Sequence, residues 1–510
     1  MPRIALALLL LTHGTLAGCG GDLPERGTDA CRPLHLEAAP PAASLVLIVN
    51  DTMRRDRVGA YGGPARTPVF DAFAGENLLF RRASTPAPWT KPAVASLFTA
   101  LYPSQHGVRD DPRLPARNGD AGRVRSADVL ATSLVTLAEV LRDAGFRTAA
   151  FVSNPWMGRP FGFDQGFEHY DDGFARFDAP GEVVSRAGLD WLAGLGTDER
   201  FFLYLHYVDA HQPYGRLSTA EVLSRREQLE ADRRPISPEA RAILRELRTE
   251  GGESLLLATP AHPSRALIEL AYDRGISEFD AALGSFLQGL ASHPADARTA
   301  VVITSDHGEA LFERGYGNHA RALHEDELAI PLAARLPGVR AGDRVVDCPV
   351  TLIDVMPTIC HYFGLACPAT ATGRSWLVDA QGPHDADAGL AADRYVAAEG
   401  VPGLPEHRAI RNRRFKLIYE PGGRLGPNLV RDVEAGRRYP YSLYDLDADP
   451  GETRNLLAEV PHAEETEEAF ATLSTALPEV VPPFDTPAPA SAPLDPDLEQ
   501  RLRDLGYTAE

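Results

Sequence analysis

The chain has 510 residues, of which 44% are hydrophobic and 24% charged, and its formal net charge is −20. This length exceeds that of one typical domain and predicts a large domain together with a smaller one. The acidic balance disfavours nucleic acid as a partner, because a negative surface repels the phosphate backbone. It does not exclude a small anionic substrate, since a bound cation can supply local positive charge.

The N-terminus has the pattern of an export signal. Arg3 precedes the apolar run IALALLLL, which is too short to span a bilayer comfortably, and the motif LAGC ends at Cys19. The motif resembles a bacterial lipoprotein signal, and the alternative is an ordinary secretory signal with a chance cysteine. We expect a signal peptide at 1–18, lipidation of Cys19, a tether at 19–42 and a place in the cell envelope, at the outer membrane or the periplasmic face. The lipid is the only membrane contact expected.

The cysteines that follow Cys19 are Cys31, Cys348, Cys360 and Cys367. An exported protein can form disulfides. Cys360 and Cys367 are close in sequence, so a local bridge between them is one expectation. Four cysteines allow three pairings, however, and the sequence does not choose among them.

Buried strands and helices alternate along most of the chain. Apolar runs typical of buried parallel strands lie at 44–50, 146–154, 201–208, 299–305 and 330–338. Helical patterns lie between and beside them, at 67–79, 134–145, 182–195 and 267–293. This alternation predicts an open α/β sheet with helices on both faces. We assign it to a large α/β domain at 43–385, in which residues 216–258 form an insertion.

Three further segments depart from this pattern. Residues 216–258 are highly charged and helical in pattern, which indicates either a solvated helical hairpin or a lid over the core. Two alternating runs at 408–421 and 441–456 predict a small antiparallel domain at 386–476. Residues 477–510 are expected to form a Pro- and Ala-rich linker followed by a terminal helix.

Thr90 precedes Pro92 and an apolar run that includes Leu97 and Leu101. The pattern predicts that Thr90 caps a buried helix, which Pro103 then stops. The free N–H groups and the positive dipole end of a helix favour a phosphate or sulfate at this position. Thr90 is therefore either a capping residue alone or part of an anion site.

Acid and histidine residues follow three of the predicted strands. Asp51 follows the first, Asp209 and His211 follow the third, and the run Asp306-His307-Gly308-Glu309 follows the fourth. Ligands of open α/β sheets bind beyond the carboxyl ends of the strands, so these side chains are expected at one edge. Carboxylates with one imidazole and a hydroxyl suit a divalent cation such as Zn²⁺, Mn²⁺ or Ca²⁺. Such a cation would activate the Thr90 hydroxyl for attack on a phosphorus or sulfur ester.

The chain resembles the sulfatases, within the alkaline phosphatase superfamily, from about residue 44 to 510. The segments that carry the resemblance are NDTMRRDRVGAYG (50–62), TPVFDAFAGENLLFRRASTPAPWTKPAVASLFTALYPSQHGV (67–108), FLYLHYVDAHQPY (202–214), ITSDHGEALFERG (303–315), GNHARALHEDELAIPLAARLPG (317–338), and the C-terminal RFKLIYEP and LYDLDADPGETRNL. The resemblance implies a mostly parallel, alkaline-phosphatase-like sheet flanked by helices. It also implies a small C-terminal antiparallel α+β domain, and an ester hydrolase as the activity.

The resemblance also implies roles for individual residues. Asp51, Asp306 and His307 match metal ligands, and Thr90 occupies the place of the nucleophile and of a fourth ligand.

His211 and His319 match the pair that contacts the substrate anion or protonates the leaving oxygen. Lys91 is expected either to lend positive charge to the site or to be solvated. His206 and Asp209 belong to the same edge. A second metal held by Asp209, His211 and His319 is an alternative to the substrate role of these histidines.

The chain departs from the family at the nucleophile. Most sulfatases carry Cys or Ser in the motif C/S-x-P-x-R and oxidise it to formylglycine, whereas Thr90 heads Thr-Lys-Pro-Ala-Val here. Threonine has no route to that aldehyde, and it is the nucleophile type of the superfamily's phosphodiesterases and phosphoethanolamine transferases. Many sulfatases also have two adjacent aspartates where this chain has Asn50-Asp51.

We therefore expect a metal-dependent hydrolase of sulfate or phosphate esters, and Thr90 favours phosphoryl chemistry. The expected substrate is a small anionic ester, a glycan or a lipid headgroup. Two alternatives remain open: a phosphoethanolamine-type transferase, and a non-catalytic surface lipoprotein that binds sulfated or phosphorylated glycans.

Overall fold

The computed structural model describes residues 34–37, 43–109, 126–174, 179–255, 264–340, 344–379, 390, 394–401, 406–421, 430–432, 437–459, 461–481 and 491–493. Its strands are β1 (Leu34–Leu36), β2 (Ser44–Asn50), β3 (Leu78–Ser84), β4 (Ser126–Asp128), β5 (Arg147–Val152), β6 (His169–Asp171), β7 (Phe201–Tyr207), β8 (Thr299–Thr304), β9 (Ala310–Leu311), β10 (Gly317–Asn318), β11 (Leu332–Arg335), β12 (Val339–Arg340), β13 (Val345–Thr351), β14 (Leu377–Asp379), β15 (Val396–Glu399), β16 (Arg408–Arg411), β17 (Phe415–Tyr419), β18 (Val430–Asp432), β19 (Arg437–Tyr439), β20 (Tyr441–Asp445) and β21 (Ser491–Pro493). Its helices are α1 (Pro68–Glu76), α2 (Thr90–Thr99), α3 (Pro103–His106), α4 (Leu137–Asp143), α5 (Gly181–Ala193), α6 (Thr219–Ser224), α7 (Arg226–Ala231), α8 (Pro238–Glu246), α9 (Arg265–Ala291), α10 (Glu325–Leu328), α11 (Val355–Phe363) and α12 (Glu464–Val480). Within these ranges no helix is both long and apolar enough to cross a bilayer.

An eight-stranded sheet forms the centre of the large domain, in the order β13-β3-β11-β8-β2-β7-β5-β6. All of its pairings are parallel except those of β11, which runs antiparallel to both β3 and β8. The predicted mostly parallel sheet is thus confirmed. The parallel direction expected for the run at 330–338 is wrong, because the chain returns beside β8 without a crossover helix long enough to span the sheet.

Both faces of this sheet are covered, which is why its central strands are apolar throughout. β2, β7 and β8 are buried at every position. Alternate residues of β2 point to opposite faces: Leu45 and Leu47 pack with α2, α4 and α11, whereas Val46 and Ile48 pack with α1, α5 and α9. The two layers leave the carboxyl edge of the sheet as the place where polar side chains gather.

The helix that contains Thr90 starts at Thr90 itself, whereas a capping role for this residue would require the helix to start at Lys91. Trp89, with an extended backbone (φ −161°, ψ 160°), is the N-cap, and Thr90 is the first helical residue. The capping role predicted for Thr90 is therefore wrong, and its side chain is available for other contacts. The helix ends at Ala100 in a left-handed conformation (φ 57°, ψ 30°), and Pro103 begins α3 instead of stopping α2.

The C-terminal domain is an antiparallel sheet, β15-β16-β17-β20, covered by one helix. Leu473 and Leu477 of α12 share a core with Ile410, Leu417 and Leu443 of the sheet. The small antiparallel domain is thereby confirmed. Helix α12 extends to Val480, so it continues past the end of the C-terminal domain predicted at residue 476.

The helical insertion contains α6, α7 and α8. Leu229 of α7 and Leu244 of α8 are buried in the same apolar cluster as Leu267 of α9. The insertion is thus packed on the large domain through an apolar face and is not solvated on all sides.

The local disulfide expected between Cys360 and Cys367 is wrong. Both are free thiols that share a hydrogen bond, and this contact raises the pKa of Cys360. Cys348 is disulfide-bonded. The signal peptide, Cys19, the tether and the terminal helix lie outside the described residues.

Candidate active site

The candidate site lies at the carboxyl edge of the central sheet. Asp51 directly follows β2, Asp306 and His307 follow β8, and Thr90 begins α2. All four side chains are buried, and the Thr90 residue is only 1% exposed. The topology thus gathers residues that lie more than two hundred positions apart in the sequence.

The ligand atoms of Asp51, Asp306 and His307 lie within 4.8 Å of one another. His307 Nε2 is 3.4 Å from Asp51 Oδ1 and 3.5 Å from Asp306 Oδ2. Thr90 Oγ1 lies 3.2 Å from the same nitrogen and 3.4 Å from Asp51 Oδ2. The hydroxyl and the three predicted ligands are therefore brought together around one point.

The hydrogen bonds around the three ligands leave the atoms that face one another available to coordinate a cation. Asp51 Oδ1 and Asp306 Oδ2 are buried and accept no hydrogen bond from the described part of the chain, whereas Asp306 Oδ1 accepts from the backbone N–H groups of Thr52 and His307. The Gly308 carbonyl lies 2.9 Å from His307 Nδ1 and accepts its proton, so the Nε2 lone pair faces the carboxylates. Two carboxylate oxygens, an imidazole nitrogen and a hydroxyl fit a divalent cation.

The electrostatics of these side chains also favour a bound divalent cation. Burial, reinforced by the neighbouring Asp306, raises the pKa of Asp51 well above its usual range. Burial raises the pKa of Asp306 to about 7 and lowers that of His307. Two buried carboxylates this close together repel each other when both are ionised, and a divalent cation removes that repulsion.

Asn154 is a site residue that the sequence reasoning missed. Its Nδ2 donates to Asp51 Oδ2 at 2.6 Å and to Thr90 Oγ1 at 3.1 Å, while its Oδ1 accepts from the Trp156 N–H at 2.8 Å. Asn154 follows β5, whose apolar run was recognised in the sequence. The polar residue at the end of that apolar run is the sequence feature that could have identified Asn154 as a site residue. His206 of β7 also lies at this edge, 3.7 Å from Asp51 Oδ2, and burial lowers its pKa to about 3.

The two predicted substrate histidines lie next to the metal-ligand group. The ring of His319 is 4.5 Å from the ring of His307 and 5.3 Å from that of His211, between centroids. Burial lowers the pKa of His211 to about 3. His319 Nδ1 contacts Glu309 Oε2 at 2.7 Å, and Tyr214 donates to Glu309 Oε1 at 2.6 Å. Burial raises the pKa of Glu309, and the nearby His211 counters this shift.

Lys91 is fully buried, so the expectation that it is solvated is wrong. Its ammonium lies 4.0 Å from the ring centroid of Phe161 and 5.5 Å from that of Trp156, which is a cation–π arrangement. The structure therefore places the charge of this α2 residue against two aromatic rings.

Asp209 is not part of the metal-ligand group. Its Oδ1 accepts from the Gly181 N–H at 2.9 Å, and burial raises its pKa to about 7. Within the described ranges, the group of at least three close ligand atoms is Asp51, Asp306 and His307 alone. The structure thus does not bring Asp209, His211 and His319 together as a second metal site.

The helical insertion contacts the loops that carry the two histidines. Glu239 of α8 forms an ion pair with Arg321, two residues after His319, at 2.7 Å. Glu246 of the same helix accepts a hydrogen bond from Gln212, which follows His211, at 2.5 Å. A cavity of about 410 Å³ lies elsewhere, between the insertion and α9, and none of the candidate site residues lines it.

Comparison with known proteins agrees with this arrangement. The sulfatase family model matches residues 43–365, and the model of the N-sulphoglucosamine sulphohydrolase C-terminal region matches residues 313–479. A delta 4,5-hexuronate-2-O-sulfatase of Bacteroides thetaiotaomicron is 23% identical over 451 residues, which are 81% of this chain and 84% of that protein.

Solved structures share the fold. One, of a protein in complex with its substrate D-glucosamine-2-N,6-O-disulfate, has a TM-score of 0.64 at 17% identity and covers 87% of this chain and 100% of that one. Another, the phosphonate monoester hydrolase of Agrobacterium radiobacter, has a TM-score of 0.60 at 19% identity. The match covers 85% of this chain and 95% of that one. Since the sulfatase family model matches more than half of the sequence, the chain belongs to the sulfatase family of ester hydrolases.

Proposed function

We propose that this chain hydrolyses an anionic sulfate or phosphate ester with Thr90 as the nucleophile. The observation that carries the proposal is the position of Thr90 Oγ1, 3.2 Å from His307 Nε2 and 3.4 Å from Asp51 Oδ2. A threonine that only stabilised its helix would have no need of these neighbours. The N-terminus of α2 adds free backbone N–H groups, which favour an anion beside the hydroxyl.

Asp51, Asp306 and His307, with Thr90, would hold one divalent cation, and an imidazole beside carboxylates favours Zn²⁺ or Mn²⁺ over Ca²⁺. When bound, the cation supplies Lewis-acid polarisation of the ester oxygen and lowers the pKa of the threonine hydroxyl. Asn154 fixes the positions of Thr90 Oγ1 and Asp51 Oδ2 relative to each other, because its amide nitrogen donates a hydrogen bond to each.

In the proposed reaction, Thr90 Oγ1 forms a bond to phosphorus or sulfur and gives its proton to Asp51 Oδ2. The bond to the leaving oxygen breaks with its electron pair on that oxygen. His319 donates a proton to the leaving oxygen, since an imidazole is suited to proton transfer near neutral pH, and His211 contacts the ester oxygens. A water oxygen then forms a bond to phosphorus or sulfur and gives one proton to the neutral histidine. The bond from Thr90 Oγ1 breaks, this oxygen takes back its proton from Asp51, and the phosphorus or sulfur product leaves.

The chemistry of residue 90 supports phosphoryl transfer over sulfate hydrolysis. An ordinary hydroxyl cannot release sulfate by collapse of a hemiacetal, which the aldehyde of the usual sulfatases allows. A serine or threonine hydroxyl does form phosphoryl-enzyme intermediates when a cation is present.

A panel of p-nitrophenyl sulfate, phosphate, phosphodiester and phenylphosphonate esters tests the proposal. We expect cation-dependent release of p-nitrophenol from a phosphorus ester, loss of this activity in Thr90→Ala, and partial activity in Thr90→Ser. The substitution Thr99→Ala in the same helix is the matched control, because among the described residues the Thr99 hydroxyl donates to the Ala95 carbonyl alone. Binding of a sulfated glycan without turnover of any ester would instead favour the non-catalytic alternative.

We also propose that the mature chain is held at the cell envelope by lipid on Cys19. The LAGC motif after an apolar run supports this placement. In a bacterial host, the wild-type chain should take up labelled palmitate and sediment with membranes. Cys19→Ala should abolish both, and a wild-type chain that is never labelled would contradict the proposal.

A further inference from the structure

Glu309 is buried beneath the two histidines that face the reaction centre, and neither the family comparison nor the mechanism above gives it a role. It is 0% exposed, and it lies two residues after His307 on the segment that follows β8. Both of its carboxylate oxygens are engaged by side chains from other segments. Oε2 contacts His319 Nδ1 at 2.7 Å, and Oε1 accepts from the Tyr214 hydroxyl at 2.6 Å.

One carboxylate therefore joins the two loops that carry the candidate substrate histidines. Tyr214 lies three residues after His211, and the two histidine rings are 5.3 Å apart between centroids. Tyr214 is itself held edge-on against Tyr272, at 5.6 Å and 90°. Tyr272 donates to the Thr52 carbonyl beside Asp51. The contacts thus run from the metal-ligand group through Tyr214 and Glu309 to His319.

The backbone around His319 is a second observation that points the same way. Asn318 and Ala320, on either side of it, both adopt left-handed conformations, with φ of 69° and 65°. Non-glycine residues adopt this region at a cost, and strain of this kind persists where surrounding contacts enforce it. The strained loop and the contact with Glu309 together hold the imidazole in one orientation.

We propose that Glu309 is a positioning residue that keeps the proton of His319 on Nδ1 and turns its Nε2 toward the leaving group. A carboxylate oxygen that accepts the hydrogen bond at Nδ1 selects this tautomer and orients the ring. When His319 acts as the acid, its imidazolium gives the Nε2 proton to the leaving oxygen as the ester bond breaks with its electron pair on that oxygen. The ring is left neutral, with Nδ1–H still bonded to Glu309.

The kinetic consequence rests on the proposed function and depends on the leaving group. Phenolate is a poor leaving group and needs a proton, whereas p-nitrophenolate leaves without much help. Glu309→Gln should therefore lower kcat for a phenyl ester by about 100-fold and for the matching p-nitrophenyl ester by less than about 10-fold. Equal losses for the two esters would mean that Glu309 only supports the fold, and would overturn the proposal.

Tyr316→Phe is the matched control. It removes a half-buried tyrosine–glutamate hydrogen bond, from the Tyr316 hydroxyl to Glu327 Oε1, on the same loop as His319 but without touching Glu309. The ratio of the two kcat values should stay at the wild-type value in this variant. A change in the ratio as large as that of Glu309→Gln would contradict the proposal.

A measurement that needs no activity keeps the two proposals distinguishable. In wild-type protein labelled with ¹⁵N-histidine, we expect a downfield N–H proton on Nδ1 of His319, assigned by its absence in His319→Gln. It should be lost or shifted upfield in Glu309→Gln. A proton found on Nε2 in the neutral wild-type ring would overturn the positioning role, even if every ester were hydrolysed. If no ester is hydrolysed, the proposed function fails, and this signal alone still decides the role of Glu309.

Discussion

Asn154 binds both residues on which the proposed chemistry depends. Replacing it with alanine removes a donor from Asp51 and another from Thr90. We expect Asn154→Ala to lower kcat roughly 100-fold, the size of effect seen when one positioned donor is lost from an active site. The kcat of Asn77→Ala should not change, since the Asn77 amide caps a helix carbonyl away from the site. Steady-state kinetics of the two variants decide the matter, and equal activities would contradict the role given to Asn154.

The pair of buried carboxylates predicts how the metal-free protein responds to pH. The pKa of Asp306 is about 7 in the folded chain, against about 3.9 when unfolded. The folded state therefore binds more protons than the unfolded state between these values, so stability should fall as pH rises from about 4 to about 7. Thermal unfolding of chelator-treated protein should show this fall, and an added divalent cation should stabilise the protein most above pH 7. A cation effect that is larger at pH 5 than at pH 8 would contradict the assignment.

At the scale of elements, α2 begins with Thr90 and is followed by a strained C-cap residue. Ala100 adopts φ 57° and ψ 30°, a left-handed conformation that costs an alanine roughly 1 kcal/mol more than a glycine. Ala100→Gly should therefore raise the free energy of unfolding by roughly 1 kcal/mol. Ala95→Gly, inside the same helix, should lower it by roughly 1 kcal/mol or more. Denaturant unfolding measures both, and destabilisation by Ala100→Gly would show that the C-cap is not strained.

The elements also show how far the sequence determines the site. β2 and the ends of β5, β7 and β8 were predictable, because apolar runs bounded by polar residues mark buried strands. Asp51, Asp306 and His307 follow from the rule that sites form at the carboxyl ends of such strands. Asn154 was missed because an asparagine after a strand is usually a turn residue, and only the fold shows that it points at Thr90.

The direction of β11 and the start of α2 could not be predicted for a different reason. A short apolar run has the same pattern in either direction, and its direction depends on the loop that leads to it. The N-cap position differs by one residue between Trp89 and Thr90, and the residue types favoured threonine. The hydroxyl is instead used on Asp51 and His307, a tertiary contact that overrides the local preference.

At the scale of the whole molecule, a buried ionic cluster joins the C-terminal sheet to the large domain. Lys416 of β17 lies 3.0 Å from Glu325 Oε1 and 2.9 Å from Glu452 Oε1, and Arg411 of β16 lies 2.8 Å from Glu325 Oε2. The positive charges of Arg411 and Lys416 outweigh the effect of burial and lower the pKa of Glu325. The pairing therefore favours the ionised form of Glu325 in the folded state, and the cluster spans the domain boundary.

Removing one partner leaves buried carboxylates uncompensated. Lys416→Met should destabilise the protein by about 3–5 kcal/mol. Arg226→Ala, which breaks an exposed ion pair on the insertion, should change stability far less, because water screens that pair. Chemical unfolding curves compare the two variants. Similar small effects in both would show that the cluster does not hold the domains together.

The central claim is that Thr90 attacks the ester at a cation held by Asp51, Asp306 and His307. The most direct test is mass spectrometry of acid-quenched protein taken during turnover of the best p-nitrophenyl ester, followed by peptide mapping. The account predicts one phosphoryl or sulfuryl group on the peptide that contains Thr90, formed only when a divalent cation is present and absent from Thr90→Ala. Cation-dependent turnover that continues undiminished in Thr90→Ala, with no modified peptide in the wild-type chain, would contradict it.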